Sequence, residues 1–215
     1  MRMLIALIFS IVATLPAAAD DACKQRVDEA FSKLRANKSF RLETTIVNAQ
    51  GKLNMKADYV LPDRMHQIVR LGDEGAAMEM IVVGKRAWSN QGQGWAELPE
   101  KFAETVAKQM QETVAAPTKS MTDYKCLGEQ DLEGKTYSVF QGVLPMPIDP
   151  AAEHKGPRLS ALSTPNQQKV YVDRETGLPV RNIVNPVTEP EKRLFDGRFT
   201  IVEGLKISEP ETKAN

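Results

Sequence analysis

The amino-acid sequence predicts an α+β fold, a single antiparallel sheet with two helices packed on one of its faces. Three observations carry that prediction. The elements run helix, meander, helix, meander; no βαβ unit repeats; and no shift of composition marks a boundary between domains.

The chain opens MRMLIALIFSIVATLPAAAD, where Arg2 precedes an apolar run and Ala17, Ala18 and Ala19 follow it. The pattern reads as a cleaved signal peptide over residues 1–19, the apolar run being too short to span a membrane. A buried N-terminal helix is the competing reading. Cys23 follows Asp20-Asp21-Ala22, not the apolar-small-small motif of a lipid-attachment box. The expected product is therefore exported and free of a lipid anchor. It forms one domain over residues 20–208, with a frayed tail at 209–215.

Val27, Phe31 and Leu34 recur at spacings of four and three between Ala22 and Asn37. That is the stripe of an amphipathic helix, with Asp21 as N-cap and Asn37 at its end. The period then drops to two. Phe40, Leu42, Thr44 and Ile46 alternate with Arg41, Glu43 and Thr45, and a turn follows at 49–52. Leu53, Met55, Ala57, Tyr59 and Leu61 then share a face opposite Asn54, Lys56 and Asp58. In the next strand Met65, Val69 and Leu71 oppose Arg64, His66 and Arg70. AAMEMIVVG is an apolar strand, closed by a Gly84-Lys85 turn.

The stretch VGKRAWSNQGQGWAELP, from Val83 to Pro99, holds both tryptophans of the chain, Trp88 and Trp95. They form either a ligand-stacking platform or the packing of ordinary strands. A platform would need a third aromatic or a basic groove beside it, which the neighbouring sequence lacks. Bulky aromatics favour half-buried pleated positions, so both are read as sheet residues.

A second helix is expected over Pro99–Ala115, with proline in its first turn and Phe102, Val106 and Met110 as its apolar stripe. Strands return in YKCLGEQDLEGKTYSVFQGVL around a Glu133-Gly134-Lys135 turn. Leu144–Gln168 then loses all periodicity and collects prolines 145, 147, 150, 157 and 165. So long a patternless stretch reads as a mobile functional loop or as a passive surface insertion. KVYVDRETGLPVRNIV is a hairpin with Gly177 where a positive φ is needed, and RFTIVEGLKI is the last strand.

Lys and Arg number 28, as do Asp and Glu, so no single-sign field is available to attract nucleic acid or an anionic membrane. His66 sits on the charged face of a strand and His154 in the proline-rich stretch. Neither has a cysteine or carboxylate at metal-ligand spacing, so both are read as solvated and no metal site is expected. No serine occupies a nucleophile elbow and no glycine-rich loop opens a helix, so neither catalysis nor a cofactor is expected. Met55, Met65, Met78 and Met80 fall on consecutive strands, offering a soft, adaptable apolar surface or simply filling the core. Cys23 and Cys126, the two cysteines of the chain, read as one disulfide, with two free thiols as the alternative.

Taken together, these pieces resemble the LolA-like superfamily of exported bacterial proteins. It includes the lipoprotein carrier of the Gram-negative periplasm, the mycobacterial glycolipid-binding lipoproteins and the sensor domain of an envelope-stress regulator. The likeness lies in the N-terminal helix leading into SFRLETTI, then YVLPDRMHQIV, IVVGKRAWSNQGQGW and VYVDRETGLPVRNIV. The resemblance implies a periplasmic monomer built as a curved, unclosed half-barrel, its helices lining the concave face around an apolar cavity. A lipid or acylated ligand is the implied partner. A sensor module touching a membrane-anchored protein is the alternative. The candidate cavity residues are Leu53, Met55, Tyr59, Met65, Val69, Met78 and Met80 on the strands, with Phe102, Val106 and Met110 on the second helix. In the lipoprotein carrier an arginine before the second-strand proline helps latch a helical lid. Here Leu61 precedes Pro62, which points to a different hydrophobic cargo.

Overall fold

The computed structural model describes residues 17–48, 51–116, 122–144 and 165–212. Helix α1 spans Ala17–Ala36, so Asp21, expected as its N-cap, lies inside it. Its end falls as expected: the backbone N–H and side-chain amide of Asn37 both donate to the Lys33 carbonyl, and Lys38 turns the chain out at a φ of 63°. The first meander comprises β1 (Ser39–Asn48), β2 (Gly51–Val60), β3 (Arg64–Leu71), β4 (Ala77–Val83), β5 (Arg86–Asn90) and β6 (Trp95–Glu97). Helix α2 (Glu100–Met110) follows and widens into a π turn at Gln111–Ala115. The second meander comprises β7 (Tyr124–Leu132), β8 (Lys135–Val143), β9 (Asn166–Asp173), β10 (Pro179–Pro186) and β11 (Phe195–Ile201).

All eleven strands form one antiparallel sheet in the order β6-β5-β4-β3-β2-β1-β11-β10-β9-β8-β7. The first meander unrolls from β1 to the edge strand β6. Helix α2 then carries the chain to the opposite edge at β7, and the second meander works inward until β11 zips onto β1. Phe40 there faces Ile201, and Ile46 faces Phe195. The edges β6 and β7 do not pair with each other, so the curved half-barrel stays open. The β7–β8 turn is a two-residue hairpin with positive φ at both Glu133 (55°) and Gly134 (83°), the primed geometry that matches strand twist.

Both helices pack on the same face. Cys23, Val27 and Ala30 of α1 bury against Tyr124, Phe140, Val170 and Val172, while Leu34 joins the cluster under α2. Helix α2 buries Ala103, Ala107 and Met110, with Val106 at the margin, and leaves Phe102 51% exposed. Of the expected stripe Phe102–Val106–Met110, Met110 is buried and Val106 packs at the margin, while Ala103 and Ala107 take the place of Phe102. Two alanines let the helix approach the sheet more closely than a phenylalanine would. Cys23 and Cys126 are bonded, their Cα atoms 5.4 Å apart, and join the start of α1 to the edge strand β7.

The face away from the helices has its own apolar clusters. Trp88, 1% exposed, lies with Ile81 and Ile207, and the Arg86 guanidinium stacks 4.7 Å above its ring. Trp88 and Trp95 are therefore packing residues of the sheet. Residues 202–212 run across this face. The Ile207 carbonyl accepts from Arg64 Nη1 at 2.7 Å, Glu209 pairs with Arg86 at 2.6 Å, and Thr212 bridges to Trp95. As far as Thr212, then, the segment expected to fray is held down. Of the patternless Leu144–Gln168 stretch, Asn166–Gln168 belong to β9, and residues 145–164, His154 among them, lie outside the described residues. So do residues 1–16 of the expected signal peptide.

Candidate ligand-binding face

Side chains alternate between the two faces of a strand, so the register assigns each residue to a face and to a cross-sheet row. The row Ile201–Phe40–Tyr59–Met65–Val82–Ala87 points at α2. So does the next, Phe199–Leu42–Ala57–Gln67–Met80–Ser89. These two rows make the main core. Phe40 and Tyr59 stack at 5.1 Å between ring centroids, and Phe31 of α1 meets Phe199 edge-on at 5.6 Å. Burial pushes the Tyr59 hydroxyl up to about 12, so it stays neutral in this apolar setting.

Two further rows of the same face continue past α2. They are Gly197–Thr44–Met55–Val69–Met78 and Phe195–Ile46–Leu53–Leu71. Their apolar side chains belong to none of the buried clusters among the described residues, and Met78 and Leu71 are 48% and 55% exposed. Gly197 is needed at their centre: a Cβ there would lie 2.7 Å from the Phe195 ring, which folds over the glycine. The result is an apolar strip that extends the core beyond the described helices.

All seven candidate strand residues lie on this helix-facing side. Tyr59, Met65 and Met80 pack with Val106 and Met110 in the core under α2. Leu53, Met55, Val69 and Met78 line the open strip. Phe102 stands apart, on the exposed side of α2. Ile46, Leu71 and Phe195 complete the strip and were absent from the candidates. The period-two pattern of β1 and β3 already placed Ile46 and Leu71 on this face.

The electrostatics divide by face. The inward positions of β1 to β5 and of β11 carry no charged residue; their polar groups are Thr44, Gln67 and Ser89, with Asn48 at the end of β1. Farther across, the Tyr124 hydroxyl donates to Gln168, whose amide donates to Asn182 at 2.9 Å. The charges of these strands lie outside. Arg41 grips Asp58 through two hydrogen bonds, and Arg181 grips Asp196 in the same way. His66, read from the sequence as simply solvated, is half-buried and meets Glu79 at 3.0 Å. Among the described residues no group of three or more His, Cys, Asp or Glu is placed to hold a metal ion. No described helix is long and apolar enough to cross a membrane.

Scanned against family models and curated proteins, the chain matches none. Its backbone does match solved structures. LprF from Mycobacterium bovis superposes with a TM-score of 0.56 at 11% identity, covering 88% of this chain and 97% of that one. The lipoprotein LppX from Mycobacterium tuberculosis gives 0.57 at 11% identity, covering 88% of this chain and all of that one. The chain has a LolA-like fold. Agreement over so much of both chains at so low an identity is agreement of architecture: the LolA-like half-barrel is set by strand register and helix placement, not by particular side chains.

Proposed function

We propose that this LolA-like protein is an exported, non-enzymatic binding protein that shields an acyl chain or a similar apolar ligand against the open strip of its inner face. The observation that carries the reading is the extension of the core past α2, Ile46, Leu53, Met55, Val69, Leu71 and Met78, which no described helix covers and whose strands carry no charge on this side. Burying apolar surface there gains about 25 cal/mol per Å², or about 0.8 kcal/mol for each methylene of a chain laid along it. Methionines adapt to chains of different shape. Export to the periplasm is supported by the N-terminal signal pattern and by the Cys23–Cys126 bond, which persists in an oxidising compartment.

Native mass spectrometry of the gently purified protein, with organic extraction of the same sample, tests the proposal. A co-purifying lipid, or saturable uptake of a long-chain fluorescent probe, is the expected result. A protein that arrives empty and takes up neither lipid nor apolar dye would overturn it.

A further inference from the structure

On the face opposite the helices, a depression of about 650 Å³ is lined chiefly by outward side chains of β1, β2, β3, β10 and β11, with the inward-facing Thr44 and Met55 also bordering it. Lys56, Arg70, Arg181 and Arg198 contribute four cations, and Glu43 and Asp196 two carboxylates, so the lining carries a net charge of +2. The carboxylate of Asp196 is committed, accepting from Arg181 Nε and Nη2, each at 2.8 Å, and from Arg193 at 2.7 Å. Arg181 is thereby locked in place with its side chain only 8% exposed. Arg198 is held by Glu133, with Nη1 to Oε2 at 2.8 Å.

Lys56 and Arg70 differ: neither makes a hydrogen bond or ion pair within the described residues. The register sets Lys56 opposite Ile68 and Arg70 opposite Asn54, a diagonal across adjacent strands. Such a diagonal spans about 7–8 Å between α-carbons, so two long side chains can converge on one group. Between them the Thr45 hydroxyl donates to Asn54, whose amide donates to the Gly72 carbonyl and to Asp73, both at 2.9 Å. Two cations without a partner among the described residues thus stand beside a hydrogen-bonded polar patch on the same face.

We propose that this depression binds a phosphate group, carried by a lipid headgroup or free in solution. Lys56 and Arg70 hold the phosphate oxygens by charge-assisted hydrogen bonds, and the immobile Arg181 and Arg198 supply positive potential behind them. Free phosphate, near two negative charges, and the singly charged phosphodiester of an anionic lipid both complement a lining of +2, whereas the phosphate of phosphatidylcholine carries its own ammonium beside it and does not. Glu43, between Lys56 and Arg198 in the register, restricts the site to one small anion and prevents a long polyanion from lying across the face. The site opens on the other side of the sheet from the apolar strip, although Thr44 and Met55, whose side chains face the strip, border it as well.

The test compares the wild type with the K56Q/R70Q double variant. Neither side chain has a partner among the described residues, so the variant keeps its fold, which thermal melting verifies. One arm titrates inorganic phosphate and follows its ³¹P resonance. The other measures co-sedimentation with phosphatidylcholine vesicles, with and without phosphatidylglycerol. The expected result is saturable binding of inorganic phosphate, or of the phosphatidylglycerol vesicles alone, weakened about tenfold or more in the variant. The first outcome names free phosphate as the source and the second a headgroup. No binding in either arm, equal binding to vesicles lacking phosphatidylglycerol, or a variant that binds like the wild type would overturn the proposal.

Discussion

Ile207 and Trp88 lie in one buried cluster on the side of the sheet that the helices leave bare, 7% and 1% exposed respectively. The contact spans most of the domain, since β5 belongs to the first meander and Ile207 follows the last strand. Truncating a buried isoleucine costs about 2–5 kcal/mol, so Ile207→Ala lowers stability within that range. In a Trp95→Phe background, where Trp88 is the sole emitter, the fluorescence shifts to the red. Unchanged stability and emission would contradict the docking of this segment.

The Cys23–Cys126 bond joins residues 103 apart in sequence. A loop of that length is worth about 4–5 kcal/mol in the chain-entropy model and roughly 2–4 kcal/mol in typical measurements. The Cys23→Ala/Cys126→Ala double variant is expected to lose about that much in urea unfolding while keeping its sheet by circular dichroism. Thiol labelling of the unreduced, denatured protein should find none. Two reactive thiols per chain would refute the bond.

Asp173 begins the β9–β10 turn, where its Oδ1 accepts from the backbone N–H groups of Glu175 and Thr176 at 3.0 and 2.9 Å. Its other oxygen meets Lys135 at 2.6 Å. The Lys135 hydrogen bond, helped by those of Thr176, holds the carboxyl at about 2 against an ordinary 3.8. A depressed acid stabilises the fold above its unfolded-state value, and that contribution fades as the pH falls from about 3.8 through about 2. Asp173→Asn is therefore less stable than the wild type at neutral pH, with the gap closing over that window. Parallel denaturation curves from neutral pH down to pH 2 would contradict it.

The fold was legible because each strand announces its face. The alternation in SFRLETTI and LNMKADYVL gives both the strands and their inner rows, and DRETG gives the β9–β10 turn chemistry. What stayed hidden depends on partners distant in the chain. Ala103 and Ala107 are weak hydrophobic signals, and only the closeness of α2 to the sheet makes them its packing stripe. The pattern RFTIVEGLKI puts Ile207 in the last strand, but β11 ends at Ile201 and Ile207 instead covers Trp88, over a hundred residues earlier. His66 likewise finds Glu79 only once β3 and β4 pair. Within the candidate site, periodicity put Leu53, Met55 and Tyr59 on one face of β2 and Met65 and Val69 on one face of β3, and the register sets Met78 and Met80 on the same side. How far α2 extends over that face, which separates core from open strip, is a tertiary matter that no spacing encodes.

That division yields the last prediction. Met65 and Met78 look alike in the sequence, both inward on neighbouring strands, yet Met65 is 5% exposed and Met78 48%. Met65→Ala opens a cavity under α2 and is expected to cost about 2–5 kcal/mol of stability. Met78→Glu touches no packed core, so its stability should stay within about 0.5 kcal/mol of wild type. A carboxylate at position 78, however, would have to lose water against any acyl chain in the strip. A penalty above about 1.4 kcal/mol weakens binding more than tenfold. Leu127→Glu, at another exposed apolar position on the edge strand β7, with three strands between it and β11, serves as the control and should change neither property. Binding of a long-chain fluorescent probe and thermal melting, measured on all three variants, decide the matter. If Met78→Glu binds like the wild type, the strip is surface and not site.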